Sequence, residues 1–167
     1  LIISNNVITN EDGTKTRLAK RAIYGERVSA LTVEWCRITN FVKAIDLAWG
    51  WNNKILYTIL NDNETAIYTR VEHNNVLIVD SCSINANVVG MVAIAGKTIN
   101  VINTAFEANH LALYINYLAN TVNVKNCYFE RNGETESRCI LSEDGGVTWS
   151  QPVQTARPNA ELKDAAI

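Results

Sequence analysis

Between Val76 and Gly133 apolar and polar residues alternate in short runs, and the runs recur. VDSCSINAN (79–87), VINTAFEAN (101–109) and VKNCYFERN (124–132) align without a gap. Two earlier copies, VEWCRITNF (33–41) and ILYTILNDN (55–63), put Val33, Ile55, Val79, Val101 and Val124 in one column, at steps of 22, 24, 22 and 23 residues. A second column holds Ile38, Leu60, Ile84, Phe106 and Phe129. A third holds Ile45, Ile67, Met91 and Leu113, followed two places on by Leu47, Thr69, Ala93 and Ile115. Each copy therefore carries three period-2 runs, the pattern of strands with one buried face. In the copy starting at Ile99 the inward positions are Ile99, Val101, Thr104, Phe106, Leu113 and Ile115.

A repeat of this length with three strands predicts an all-β fold, a parallel β-solenoid of about five coils, each stacked on the next. No coil buries its own face, so stability comes from the stack. Trp35, Tyr57, Ser81, Asn103 and Asn126 mark the bend between the first two runs. Twenty-one asparagines, many beside such bends, suit corners where the backbone turns left-handed and amides bond from copy to copy. A leucine-rich repeat has a similar period, but its L-x-x-L-x-L-x-x-N frame is missing. No stretch of these coils keeps a helical period.

IISNNVITN (2–10) reads as one more copy, with Ile3 in the valine place, Asn5 at the bend and Ile8 inward. The next copy follows after 30 residues, so Glu11 to Ala22 reads as an inserted loop opened by the turn pair Asp12-Gly13. Its Lys15, Arg17, Lys20 and Arg21 suit either a solvated loop or a grip on an anionic polysaccharide. Parity places Trp49 inward and leaves Trp51 at a corner, where an exposed tryptophan can stack on a sugar ring. Asn52-Asn53, Asn61-Asp62-Asn63 and His73-Asn74-Asn75 mark further corners, and His110 falls in another. Tyr68, Val92, Ile94 and Tyr114 point outward on the third strand. That apolar face needs a cover, and a closed homotrimer supplies one without forming open fibres.

Composition sharpens this reading. With 47% hydrophobic residues the chain supports a continuous core, and a net charge of −2 argues against a general nucleic-acid binder. No run of 18 apolar residues occurs, so no helical membrane insertion is expected. The absence of an initiating Met and of a signal peptide suggests a fragment or a processed product. Cys36, Cys82 and Cys127 share one inward column with Thr58 and Thr104 between them. Successive cysteines are then two coils apart, about twice 4.8 Å, which is beyond disulfide reach. The expectation is buried free thiols, with Cys139 outside the column. No zinc spacing occurs, and neither a metal nor a cofactor is expected.

After Gly133 the rhythm stops. Residues 1–133 form the solenoid domain, 134–137 a linker, and 138–167 a hairpin appendage and tail. Ser142, Asp144, Gly146, Thr148 and Trp149 spell S-x-D-x-G-x-T-W, which resembles the structural Asp-box of sialidases and related β-propellers. The box implies a hairpin staple and brings no catalytic group.

The coils written V-x-[NS]-C-x-[IF]-x-x-N over residues 2–133 resemble the right-handed, single-stranded parallel β-helix of the pectate-lyase-like superfamily. Among its members the short Asn-rich coils look most like bacteriophage tailspikes and tail fibres. The resemblance implies a virion tail protein, a homotrimer beside other tail proteins, that binds and in some cases depolymerises bacterial surface polysaccharide. The calcium-binding aspartates and catalytic arginine of pectate lyases are missing, as are the N-T-D, D-D and G-H-G motifs of polygalacturonases. Three functions stay open: a depolymerising receptor-binding protein, a tail or adhesin module that only binds or spaces, and a free-standing secreted carbohydrate enzyme.

One constellation suits chemistry. Glu107 and Glu130 share an outward column at a spacing near 4.8 Å, and paired carboxylates about 5 Å apart fit a retaining glycosidase. Exposed surface glutamates make the same pattern. Arg131, His110 and Arg70 fall toward that face. Asn85 extends the acidic row, and Arg37, Ser83, Ala105 and Tyr128 form the row beside it, with Tyr128 placed to stack on a sugar.

Overall fold

The computed structural model describes residues 1–70, 76–96, 98–119, 121–133, 137–141 and 153–155. Over them the chain is all-β, a parallel solenoid of about four turns with no helix. The first sheet stacks Thr32–Glu34, Asn53–Leu56, Leu77–Asp80, Ile99–Ile102 and Val122–Lys125. The second stacks Ile2–Ser4, Arg37–Thr39, Ile59–Asn61, Ser83–Asn85, Ala105–Glu107 and Tyr128–Glu130. The third stacks Arg21–Gly25, Lys43–Leu47, Thr65–Arg70, Val89–Gly96, Leu111–Ala119 and Ser137–Leu141 in parallel.

The pairing register reproduces the sequence columns. Val33, Ile55, Val79, Val101 and Val124 are successive partners across the first sheet. Ile38, Leu60, Ile84, Phe106 and Phe129 follow one another across the second. Ile45, Ile67, Met91 and Leu113 do so across the third, and Ile23 extends that column by one coil. All six inward positions named for the coil at Ile99 are buried. Phe106 and Phe129 stack with centroids 4.9 Å apart, an arrangement that adds about 0.5–1.5 kcal/mol beyond burial.

Two corners are set by left-handed residues. Trp35, Tyr57, Ser81, Asn103 and Asn126 turn the chain from the first sheet to the second with φ between 48° and 54°. Asn40, Asp62, Ala86, Ala108 and Arg131 turn it toward the third with φ between 51° and 69°. Such backbone costs a residue with a β-carbon roughly 1–2 kcal/mol, so each corner must be held by its surroundings.

At the second corner the holding device is a buried asparagine ladder. Asn63, Asn87, Asn109 and Asn132 follow one another up the stack, all buried. Asn63 donates its backbone N–H and its carboxamide to Asn87 Oδ1, at 2.9 and 3.1 Å. Asn87 repeats this onto Asn109, and Asn109 onto Asn132. Each carboxamide also donates to a main-chain carbonyl of a preceding coil: Ile38, Leu60, Ile84 and Phe106 in turn. The ladder stops at Phe41, whose N–H donates to Asn63 Oδ1 at 2.9 Å and whose ring lies in the core.

In the cysteine column, chemistry alternates for a reason. Thr58 and Thr104 accept from the N–H of Cys36 and Cys82 and donate onward to the carbonyls of Leu56 and Ile102. Cys36, Cys82 and Cys127 are free thiols; Cys82 is buried and the other two half-buried. In the third sheet Ala44, Ala66, Gly90 and Ala112 each precede the third column by one residue. A β-carbon on Gly90 falls 2.4 Å from the Ala112 carbonyl oxygen, so that place admits no side chain.

Two expectations near the start are corrected. Ile3 pairs with Ile38 and so belongs to the second sheet, not the valine column. Ile8 is exposed, in a hairpin of Val7–Thr9 with Lys15–Arg17. Ile3 and Ile8 copy the valine-to-isoleucine spacing, and alternation alone does not say which sheet a short run joins. The Asn5 carboxamide closes the excursion, bonding the main chain of Ala19 in both directions and donating to the Asn40 carbonyl. Gly13 (φ 82°) and Asp12 form the hairpin tip, where the Asp12 carboxylate accepts from the Thr14 N–H and hydroxyl.

Trp49 is also corrected: it is exposed, with the Arg27 guanidinium 5.4 Å from its ring centroid. Leu47 and Ala48 are both buried, so the strand's alternation ends before Trp49 and parity no longer applies.

Past Gly133, Ser137–Leu141 pairs parallel with the third sheet, Cys139 opposite Leu113, and antiparallel with Val153–Thr155. The Asp-box residues Ser142, Asp144, Gly146, Thr148 and Trp149, and His73, lie outside the described residues.

Candidate functional site

The outer face of the second sheet carries two continuous rows. Asn61, Asn85, Glu107 and Glu130 are register partners in one. Arg37, Ile59, Ser83, Ala105 and Tyr128 are partners in the other. The sequence placed all of these except Asn61, read there as a corner, and Ile59, an exposed apolar residue in an otherwise mixed row. Period 2 with a fixed coil length is enough to find such rows.

Glu130 is the most engaged group on this face. The Tyr128 hydroxyl donates to its Oε2 at 2.5 Å, and Arg131 stands 3.3 Å from its Oε1. The tyrosine bond first, and the guanidinium after it, hold the Glu130 carboxyl below the ordinary range. The same bond pushes the Tyr128 phenol up. Glu107 is the direct register partner of Glu130, and both are half-buried. Their pairing offers one carboxylate fixed as an anion beside a second carboxyl.

Around the corner a shallow, open pocket of about 270 Å³ lies over the ladder, lined by Ala86, Val88, Ala108, His110 and Gly133. His110 is exposed there, its N–H bonded to the Asn87 carbonyl. His110 and Arg131 therefore stand at the edge of the Glu107–Glu130 face. Arg70 ends a third-sheet strand instead. Trp51 is exposed but pairs with Ser29 on the turn from the third sheet to the first, away from Tyr128.

The basic loop is partly consumed by structure. Arg17 donates to the Asp62 carbonyl at 3.1 Å and pairs with Glu64 at 3.6 Å, fastening the hairpin along the second corner. Arg21 Nε bonds Asp46 Oδ2 at 2.6 Å. Lys15 and Lys20 stay exposed.

On the third sheet, Tyr68, Val92 and Tyr114 are consecutive register partners, and with Ile94 they are half-buried. The same column begins with Tyr24 and the fully buried Asp46. Lys43 caps Tyr68, its Nζ 3.5 Å from the ring centroid. The outer face is thus apolar at one end and carries a buried carboxylate covered by Arg21 and Lys43 at the other, which parity alone did not reveal.

The first corner holds a feature that sequence reading assigned only to bending. The Trp35 and Tyr57 rings stack at 4.6 Å with 13° between planes, and both are well exposed, at 67% and 47%. The signal was present in the bend column, where two aromatics replace Ser and Asn.

Among the described residues no group of three or more His, Cys, Asp or Glu side chains is placed to hold a metal ion. No family model, no curated protein and no solved structure matches the chain.

Proposed function

We propose that this solenoid binds a bacterial surface polysaccharide along its second-sheet flank, as part of a virion tail. The observation that carries the reading is the row Asn61, Asn85, Glu107 and Glu130, one polar side chain per coil on a rigid stack, with Tyr128 beside its end. A repeating polymer meets a repeating surface, and little ordering entropy opposes the contact. The short Asn-rich coils support the tail setting, and the apolar run Tyr68, Val92, Ile94 and Tyr114 supports a homotrimer with other tail proteins beside it.

Hydrolysis, where it occurs, would use Glu130 and Glu107. A carboxylate held ionised by Tyr128 and Arg131 suits the nucleophile of a retaining mechanism, which leaves the proton-donor role to Glu107. The test is a bacterial glycan array followed by turnover assays on the bound polymer. Tyr128→Ala should lose binding about tenfold. Glu130→Gln should keep binding and lower turnover at least about a hundredfold. Binding without any turnover in the native protein selects the adhesin or spacer function; no binding to any polysaccharide removes the carbohydrate reading of this flank.

A further inference from the structure

The Trp35–Tyr57 stack ends in a step. In the first-corner column the next three residues are Ser81, Asn103 and Asn126, all short. The two rings lie nearly parallel and about one coil apart, so their planes cut across the solenoid axis. One face of Tyr57 is covered by Trp35. The other looks up the stack onto the level of Ser81, whose side chain is too small to fill a ring's place.

The floor of that step is polar and already organised. Asp80 Oδ1 accepts from the Ser81 hydroxyl at 2.9 Å and from the Asn103 carboxamide at 3.0 Å. Asn126 donates in turn to Asn103 Oδ1 at 3.4 Å. A flat aromatic face therefore stands at right angles to a row of hydroxyl, carboxylate and carboxamide groups. Left-handed backbone is most readily adopted by Gly, Asn and Asp, so the two aromatics are the unusual members of this corner column.

We infer that this step is a saccharide-binding site distinct from the second-sheet flank. A pyranose ring would lie against the free face of Tyr57, continuing the stack by one member, with its hydroxyls bonded to Asp80, Ser81 and Asn103. The apolar C–H face of the sugar matches the aromatic ring. The carboxylate of Asp80 accepts from hydroxyls and repels acidic groups, so the ligand is a neutral oligosaccharide. The inference extends the carbohydrate reading but does not depend on Tyr128 or Glu130.

The experiment is titration of the native protein with cellohexaose, maltohexaose and an oligogalacturonate, followed by tryptophan fluorescence and calorimetry. A neutral hexasaccharide should bind and perturb the emission. Tyr57→Asn installs the residue type that the same corner uses at Asn103 and Asn126, so the variant should fold as well as the native chain. It should nevertheless lose affinity at least tenfold, while Tyr57→Phe stays within about threefold. Tyr128→Ala should leave this binding unchanged, which separates the step from the flank. Equal affinity in Tyr57→Asn overturns the inference, as does binding of the acidic oligomer alone, or of none of the three.

Discussion

Asn109 holds Asn87 twice: its side-chain oxygen accepts the Asn87 backbone N–H at 3.1 Å and the Asn87 carboxamide at 2.9 Å. Asn109 also donates to the Ile84 carbonyl and to Asn132. Asn109→Ala strands several buried polar groups at once. At about 1–3 kcal/mol for each unsatisfied group, the loss should reach ~3–5 kcal/mol. Urea unfolding should show a lower midpoint at an unchanged slope. Asn103→Ala, on the exposed corner, should cost under about 1 kcal/mol.

Gly90 faces the Ala112 carbonyl with no room for a methyl group. Gly90→Ala forces either that carbonyl or the third-sheet strand to move, a strain of about 1–3 kcal/mol. Ala66→Gly, one coil below, removes a buried methyl instead and should destabilise through lost packing. Thermal unfolding of the two variants should give lower midpoints for both.

Burial pushes the Cys82 thiol up to about 11 from an ordinary 9.0, and that of Cys127 in the same direction. Below pH 9 folded and unfolded chains both keep the proton, and stability does not depend on these groups. Between about 9 and 11 the unfolded chain releases a proton that the folded chain retains, so stability falls as pH rises. For Cys82 the loss is on the order of 2–3 kcal/mol. Cys82→Thr, matching Thr58 and Thr104 in its column, should flatten the alkaline limb of a stability–pH curve.

The Glu130 carboxyl sits below its ordinary 4.5 because Tyr128 and Arg131 favour the anion. Its small contribution to stability is present above the ordinary range and is lost as pH falls through the lowered value. Carbon-detected NMR titration should place the Glu130 midpoint below 4.5, and Tyr128→Phe should move it back up. An unchanged midpoint in that variant would remove the assigned cause.

The columns were legible because a solenoid writes its register as a sequence period. Val79, Ile84 and Met91 needed only counting. Ile3 and Trp49 were misplaced because alternation is a local rule: it does not say which sheet a run joins, nor where a strand stops. The asparagine-rich corners were legible, yet the buried ladder was not separable from exposed corner asparagines such as Asn103. Both recur at the coil period, and only three-dimensional packing distinguishes them. Asp46 was hidden in an outward position that neighbouring Arg21 and Lys43 cover.

The two left-handed corners have a consequence for how such a chain tolerates change in length. In the four coils that begin at Val33, Ile55, Val79 and Val101, the spacing from the valine column to the ladder position is constant, as it is from the second column to the third. Among these four coils all variation in length therefore falls on the return from the third sheet to the first, between Leu47 and Ile55, Thr69 and Val79, Ala93 and Val101, and Ile115 and Val124, whereas the hairpin near the start lengthens the second corner instead. That edge is the molecule's splice seam. Foreign segments inserted there should be carried as outward loops, whereas one residue added between Ile84 and Asn87 would pull Asn87 out of line with Asn63 and Asn109 and break the ladder at that coil.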